Sequence, residues 1–220
     1  MKRILEITED GSHTLYLPEM DEHFHSVHGA IQESVHVFIN NGLKRCQQPE
    51  IHLLEVGFGT GLNALLSFLN RQDKIIHYYS LEKYPLTEAE FCQLNYAQAY
   101  SPEVQANFLK MHQSPWEQPI EIAANFKLTK LNCDLRTADL SELPAFDLVY
   151  FDAFAPGKQP DMWSDAIFQK ISLQCKPGAI ITTYCAKGDI RRSLQKNGFA
   201  MQRLPGPPGK REMLYGEKDL

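Results

Sequence analysis

Apolar and polar residues alternate through the opening "KRILEITEDGSHTLYLPE", and Asp10-Gly11 interrupts the alternation near its centre. A period of two broken by Asp-Gly predicts a β-hairpin. The period then changes. In "HFHSVHGAIQESVHVFIN", Ile31, Val35, Phe38 and Ile39 recur at helical spacing before Asn40-Asn41-Gly42 stops the run. Buried strands are expected at 51–56, 75–81, 126–131 and 146–151, with a fifth in "KPGAIITTYC". Between and after them, helical patterns cover 62–69, 87–100, 104–112, 163–175 and 189–197, Pro115 and Pro119 closing the third and Gly198 the last.

Strands alternating with helices predict a parallel sheet covered on both faces, an α/β fold. The tail "FAMQRLPGPPGKREMLYGEK" holds two short strand-like runs around a Pro/Gly loop, which makes the sheet mixed. Residues 1–48 read as a hairpin-and-helix appendage, and residues 49–220 as the α/β body.

Composition narrows the setting. Hydrophobic residues make up 43% and charged residues 22%, as in an ordinary globular protein. No apolar run approaches the roughly 20 residues that cross a bilayer. The N-terminus lacks the apolar core of a signal peptide. A cytoplasmic protein with no membrane partner is expected. Cys46, Cys92, Cys133, Cys175 and Cys185 are scattered without zinc or redox spacing, which predicts reduced thiols. A net charge of −5 argues mildly against nucleic acid, but Lys187, Arg191, Arg192, Lys196, Arg203, Lys210 and Arg211 face only Asp189 in that stretch. Such a basic end suits a phosphate backbone, and equally a solvated helix and tail.

The chemistry concentrates at strand ends. "LEVGFGTGLN" places Gly57, Gly59 and Gly61 at alternate positions directly after the first body strand. In the dinucleotide fingerprint G-x-G-x-x-G, the third glycine would fall on Leu62. G-x-G-x-G preceded by Glu55 suits a nucleotide without a phosphate. S-adenosylmethionine fits, because its ammonium favours a carboxylate and its carboxylate favours backbone N–H groups. Glu82, ending the second body strand, stands where a carboxylate meets ribose hydroxyls in nucleotide-binding α/β units. Asp134, after the third, is placed to accept from the adenine amine. The fourth strand runs into Asp152 and the loop "AFAPGKQPDMW", which puts a carboxylate across the cleft from the donor.

The chain resembles the methyltransferase domain of the MnmC family, which modifies the tRNA wobble uridine. The resemblance rests on "HGAIQESVHVFI", "EVGFGTGLN", "SLEKYPLT", "FDAFAPGKQPDMW" and "RRSLQKNGFAMQRLPGPPGKREMLYG", in family order from about Phe24 to Gly216. It implies a class I, Rossmann-like fold with a seven-stranded mixed sheet, using S-adenosylmethionine and no metal. The implied reaction is N-methylation of the exocyclic amine of 5-aminomethyl-(2-thio)uridine, giving the 5-methylaminomethyl product. The implied donor site is Glu55, Gly57, Gly59, Gly61, Asn63, Glu82, Lys83, Asp134, Leu135, Asp152, Ala153 and Phe154, with Asp152 also the carboxylate beside the acceptor amine. Phe24, His25 and Ser26 are expected to border the acceptor base, and Lys158, Arg191, Arg192, Lys210 and Arg211 to meet tRNA phosphates.

Family members in many bacteria continue into a flavin-dependent oxidase domain. This sequence shows no second glycine fingerprint for FAD, so a separate oxidase or upstream wobble-modifying enzyme is the expected partner. Two other readings compete: a polyamine synthase-like aminopropyltransferase, and a catalytically silent S-adenosylmethionine-binding RNA module. An NAD-dependent dehydrogenase ranks last because of Leu62.

Overall fold

The computed structural model describes residues 2–219. Near its start, β1 (Ile4–Ile7), β2 (His13–Leu17) and β3 (Glu22–His23) form a small antiparallel sheet, with Gly11 at φ 82° in the β1–β2 turn. Helix α1 (Ala30–Ser34) continues in π geometry through Val35–Asn40. The Asn41 amide then caps it by donating to the His36 carbonyl at 2.8 Å.

The body strands are β4 (Glu50–Val56), β5 (Ile75–Leu81), β6 (Pro119–Ala123), β7 (Phe126–Leu131), β8 (Phe146–Phe151), β9 (Cys175–Thr183), β10 (Phe199–Pro205) and β11 (Glu212–Lys218). They lie side by side as β10-β11-β9-β8-β4-β5-β7-β6. The strands from β9 to β7 are parallel, while β11 and β6 run antiparallel to their inner neighbours. Because β4 pairs β5 on one side and β8 on the other, strand order reverses at β4. A crevice opens beyond the carboxyl ends of strands at such a reversal.

The strand α/β pattern accounts for both faces. Helices α2 (Leu62–Leu69) and α4 (Pro102–Gln113) pack with the α1 segment on one face, and α5 (Asp165–Leu173) and α6 (Gly188–Lys196) on the other. Leu15, Ala30, Val37, Phe38 and Leu43 share one apolar cluster with Ile51, Leu53 and Leu65. The N-terminal segment is therefore continuous in packing with the body.

Two local features differ from the sequence pattern. The helix expected over 87–100 shrinks to α3 (Glu88–Phe91), started by a Thr87–Glu90 capping box. Asn95 leaves the helix because its side chain ties the hairpin: Oδ1 accepts from the His13 N–H at 2.9 Å and Nδ2 donates to the Gly11 carbonyl at 2.9 Å. Strand β6 adds an eighth strand to the seven expected. Its turn into β7 uses Asn125 at φ 63°, without the glycine that marks most such turns.

Candidate active site

Strand β4 ends at Val56, and the chain turns sharply through Gly57, Gly59 and Gly61 into α2. All three have positive φ, at 95°, 50° and 71°. Close approach explains two of them further. A Cβ on Gly59 would stand 3.1 Å from the Phe24 ring, and one on Gly61 would stand 2.8 Å from His112 Nε2. The turn is thus pressed between the N-terminal arm and α4. It forms one wall of a cleft of about 560 Å³, at the carboxyl ends of β4, β5, β7 and β8.

Glu82, just past β5, binds the turn itself. Its Oε2 accepts from the Gly59 N–H at 2.9 Å and its Oε1 from the Tyr84 N–H at 2.7 Å. Asp134 is held by Lys83 at 2.9 Å and by Arg136 at 2.7 Å. The Arg136 contacts first, then Lys83, keep its carboxyl well below the usual carboxylate range. Leu135 is buried beside it.

Across the turn, Asn63 Nδ2 donates to Asp152 Oδ2 at 2.8 Å. Asp152 is walled in by protein yet keeps an opening onto the cleft. Burial, followed by the nearby charge of Glu33, pushes its carboxyl up to about 7, against the pull of Asn63 and Lys210. The loop after Asp152 is braced: Tyr184 Oη donates to the Ala153 carbonyl at 2.8 Å, and Trp163 Nε1 to the Phe154 carbonyl at 2.7 Å. Phe154 meets Phe24 edge-on, with centroids 5.1 Å apart. This pair offers aromatic surface at the cleft wall.

His25 and Ser26 also line the cleft. His25 is buried, with Nε2 2.6 Å from Thr60 Oγ1, and burial pushes it down to about 4, so its ring is neutral at pH 7. The Ser26 N–H donates to Glu33 Oε2 at 2.9 Å. Lys158 lies on the rim, 3.5 Å from Asp21. Lys210 turns inward, paired with Glu33 and 4.0 Å from the Tyr184 ring centroid. Lys210, expected among the phosphate contacts, thus has its ammonium engaged by Glu33 in the cleft wall.

The structure brings Gly57, Gly59, Asn63, Glu82, Lys83, Asp134, Leu135, Asp152, Ala153 and Phe154 to one cleft. Glu55, Gly61, Arg191, Arg192 and Arg211 do not line it. Glu55 points beneath the turn, where Oε2 accepts from Ser80 Oγ at 2.6 Å and burial holds its carboxyl well above the usual range. Gly61 faces His112, and Arg191 and Arg192 ride on α6 behind β9 and β10. Thr60, Glu33, Tyr84, Arg136 and Tyr184 line the cleft without having been singled out from the sequence. Glu33, Thr60 and Tyr84 sit inside the motifs quoted for the family resemblance, which is the signal the sequence offers for them. The others become neighbours only through folding. Among the described residues, Glu50, His52 and His77 bring ligand atoms within 4.8 Å of one another, at the opposite end of β4 and β5 from the cleft.

The comparisons with known proteins agree with this geometry. A family model described as S-adenosyl-L-methionine-dependent methyltransferase matches residues 84–219. The chain belongs to that family. This methyltransferase is 37% identical over 185 residues to the tRNA 5-methylaminomethyl-2-thiouridine biosynthesis bifunctional protein MnmC of Aeromonas hydrophila, a match covering 74% of the chain and 27% of the relative. The chain thus spans about a quarter of that relative's length. The crystal structure of MNMC2 from Aquifex aeolicus superposes with a TM-score of 0.82 at 26% identity, covering 98% of this chain and 70% of that one. A probable spermidine synthase from Corynebacterium glutamicum shares the fold, with a TM-score of 0.54 at 16% identity over 98% of this chain and 76% of its own. The methyltransferase is closely related to the MnmC family and has its Rossmann-like fold, with a mixed sheet and a small N-terminal extension.

The residues present fit S-adenosylmethionine. The turn brings bare backbone to the cleft at Gly57 and Gly59, both at positive φ, with no side chain to hold a ligand off. Glu82 and Asp134 add carboxylates at the ends of the next two strands. No helix of the described residues is long and apolar enough to cross a membrane.

Proposed function

We propose that this methyltransferase N-methylates the exocyclic amine of 5-aminomethyl-(2-thio)uridine at the tRNA wobble position. The observation that carries the reading is Asp152: a carboxyl raised to about 7, opening onto the cleft opposite the glycine turn. An alkylammonium must lose a proton before its nitrogen can attack. A carboxylate at the ordinary value of about 3.9 is a poor acceptor for it, whereas one near neutrality is matched to the task. Burial here supplies what an exposed aspartate lacks. Similarity to the tRNA 5-methylaminomethyl-2-thiouridine biosynthesis protein of Aeromonas supports the choice of acceptor.

In this reading Gly57, Gly59, Asn63, Glu82 and the Asp134 region hold the donor, and bound S-adenosylmethionine supplies an electrophilic methyl group on sulfonium sulfur. Asp152 takes one proton from the acceptor ammonium and holds the free amine in line. The Phe24–Phe154 edge provides a face against which a flipped pyrimidine can stack. Positioning of this kind contributes roughly 7–11 kcal/mol in the best cases. Lys158, Arg191, Arg192 and Arg211 are the proposed phosphate contacts. The proposed partners are tRNA and an oxidase or upstream modifying enzyme that supplies the aminomethyl group.

The test is nucleoside mass spectrometry of tRNA bearing 5-aminomethyl-(2-thio)uridine, incubated with the protein and S-adenosylmethionine. A gain of one methylene at the wobble uridine is expected. Transfer of an aminopropyl group from the decarboxylated donor, or no product with either donor, would overturn the reading.

A further inference from the structure

Glu33 and Lys210 come from opposite ends of the chain, yet they meet in the wall of the cleft. Glu33 is buried in α1 and Lys210 belongs to the loop between β10 and β11. The Lys210 ammonium donates to Glu33 Oε1, while Glu33 Oε2 accepts from the Ser26 N–H at 2.9 Å. Both carboxylate oxygens are therefore engaged. The Lys210 ammonium also lies 4.0 Å from the Tyr184 ring centroid, and that tyrosine braces the residue after Asp152.

The loop carrying Lys210 is held in place. The Lys210 N–H donates to the Pro207 carbonyl at 2.9 Å, and the Pro205 carbonyl lies 2.8 Å from His36 Nε2 on the helix that carries Glu33. Gly209 takes φ 81°, and a Cβ there would stand 2.1 Å from the His28 ring, so glycine lets this loop lie against the N-terminal arm without displacing that ring. A lysine on so constrained a loop, half-buried against a buried carboxylate, is built to stay.

An ion pair in a protein wall is weak evidence for stability, since removing both charges from water costs as much as their attraction returns. Its position suggests another use. We propose that Glu33 and Lys210 are positioning residues for Asp152: the pair closes the acceptor side of the cleft and fixes the charge that Asp152 meets there. The inference rests on the methyl-transfer reading given above. In that reaction the acceptor R–CH2–NH3⁺ gives one proton to Asp152. The nitrogen lone pair forms the new N–CH3 bond as the sulfur–methyl bond breaks and its electrons return to sulfur. The proton on Asp152 then leaves to solvent. How readily Asp152 takes that proton depends on its charged neighbours.

Those neighbours come from every side. Asn63 reaches Asp152 from α2, Glu55 from β4, Tyr78 from β5, Tyr184 from beyond β9, Glu33 from α1 and Lys210 from the loop. Of these neighbours, Glu33 and Lys210 pair with each other, and they act on Asp152 in opposite directions. Removing the glutamate charge should make Asp152 more acidic, and removing the lysine charge should make it less so.

The test is a carbon-13 NMR titration of the Asp152 carboxyl in protein carrying labelled aspartate, with Asp152→Asn to assign the signal. Glu33→Gln should move the titration to lower pH and Lys210→Met to higher pH. The double variant should return it towards the wild-type position, and Lys210→Arg should leave it there. In methyl-transfer assays the acid limb of kcat should move in the same directions, roughly tenfold in rate for each pH unit of movement. Circular dichroism checks that each variant folds. If the Asp152 titration stays put in both single variants while thermal stability falls, the pair is only a structural tie and the proposal is wrong. The titration needs no acceptor, so failure to methylate tRNA would sink the function reading without touching this one.

Discussion

Asn63 donates to Asp152 across 2.8 Å, joining the first turn of α2 to the residue that follows β8. These elements flank β4, where the strand order reverses. One hydrogen bond therefore spans the crevice and connects the wall proposed to hold the donor with the group proposed to face the acceptor. Loss of either partner should affect different steps.

Asp152→Asn keeps the side-chain shape but cannot take a proton. Donor affinity, measured by isothermal titration calorimetry, should stay within about threefold, while single-turnover methyl transfer should fall by about 10² or more. In the wild type, the rate should decline as pH falls below about 7, following one proton. If the variant loses donor binding but keeps its rate on saturated protein, Asp152 belongs to the donor site alone.

The same substitution has a stability signature of definite sign. Asp152 is raised in the folded protein, so between about pH 4 and pH 7 the folded state holds a proton that the unfolded state has lost. Stability is therefore lost as pH rises from about 4 to about 7 and is level above that, a loss of at most about 4 kcal/mol and less because the carboxyl opens onto the cleft. Asp152→Asn should therefore raise the thermal midpoint at pH 8 more than at pH 5. An equal change at both values would mean that Asp152 titrates normally.

Gly59→Ala tests the turn. Its φ of 50° disfavours a side chain, and the added Cβ would press on Phe24 at 3.1 Å. Donor affinity should drop by about tenfold or more, a cost of roughly 1–2 kcal/mol of backbone strain. Combining it with Phe24→Ala should recover only part of the loss, because the contact is relieved and the backbone strain is not. Full recovery would show that only the contact mattered.

Much of this architecture was legible because local signals agreed with the global fold. Asp10-Gly11, the glycine run and the apolar strands each marked an element that the structure contains. Residues at strand ends, Glu82, Asp134 and Asp152, could be placed on one edge because every parallel strand ends there. What escaped depended on distant partners. Asn95 abandons a helical pattern to tie the hairpin, and β6 carries no glycine turn. Lys210 looked like a surface base in a basic tail, but Glu33, far away in sequence, draws it into the cleft. Glu55 precedes the glycines in a motif suited to ligand contact, yet strand alternation sends its side chain under the turn to Ser80.

Arg191 and Arg192 separate a nucleic-acid surface from a solvated helix. They lie on α6, and near its start the guanidinium groups of Arg192 and Arg203 both approach the position a Gly188 side chain would take. Each phosphate contact removed should flatten the log–log salt dependence of tRNA binding by roughly 0.7–0.9. Arg191→Ala with Arg192→Ala should lower the slope by about 1.5, with little change in donor affinity, because neither residue lines the cleft. Lys210→Met should leave the slope unaltered, since its ammonium is already held by Glu33. Filter binding across a salt series reads all of these. A slope that falls for Lys210 and not for the arginines would move the phosphate track off α6 and onto the loop between β10 and β11.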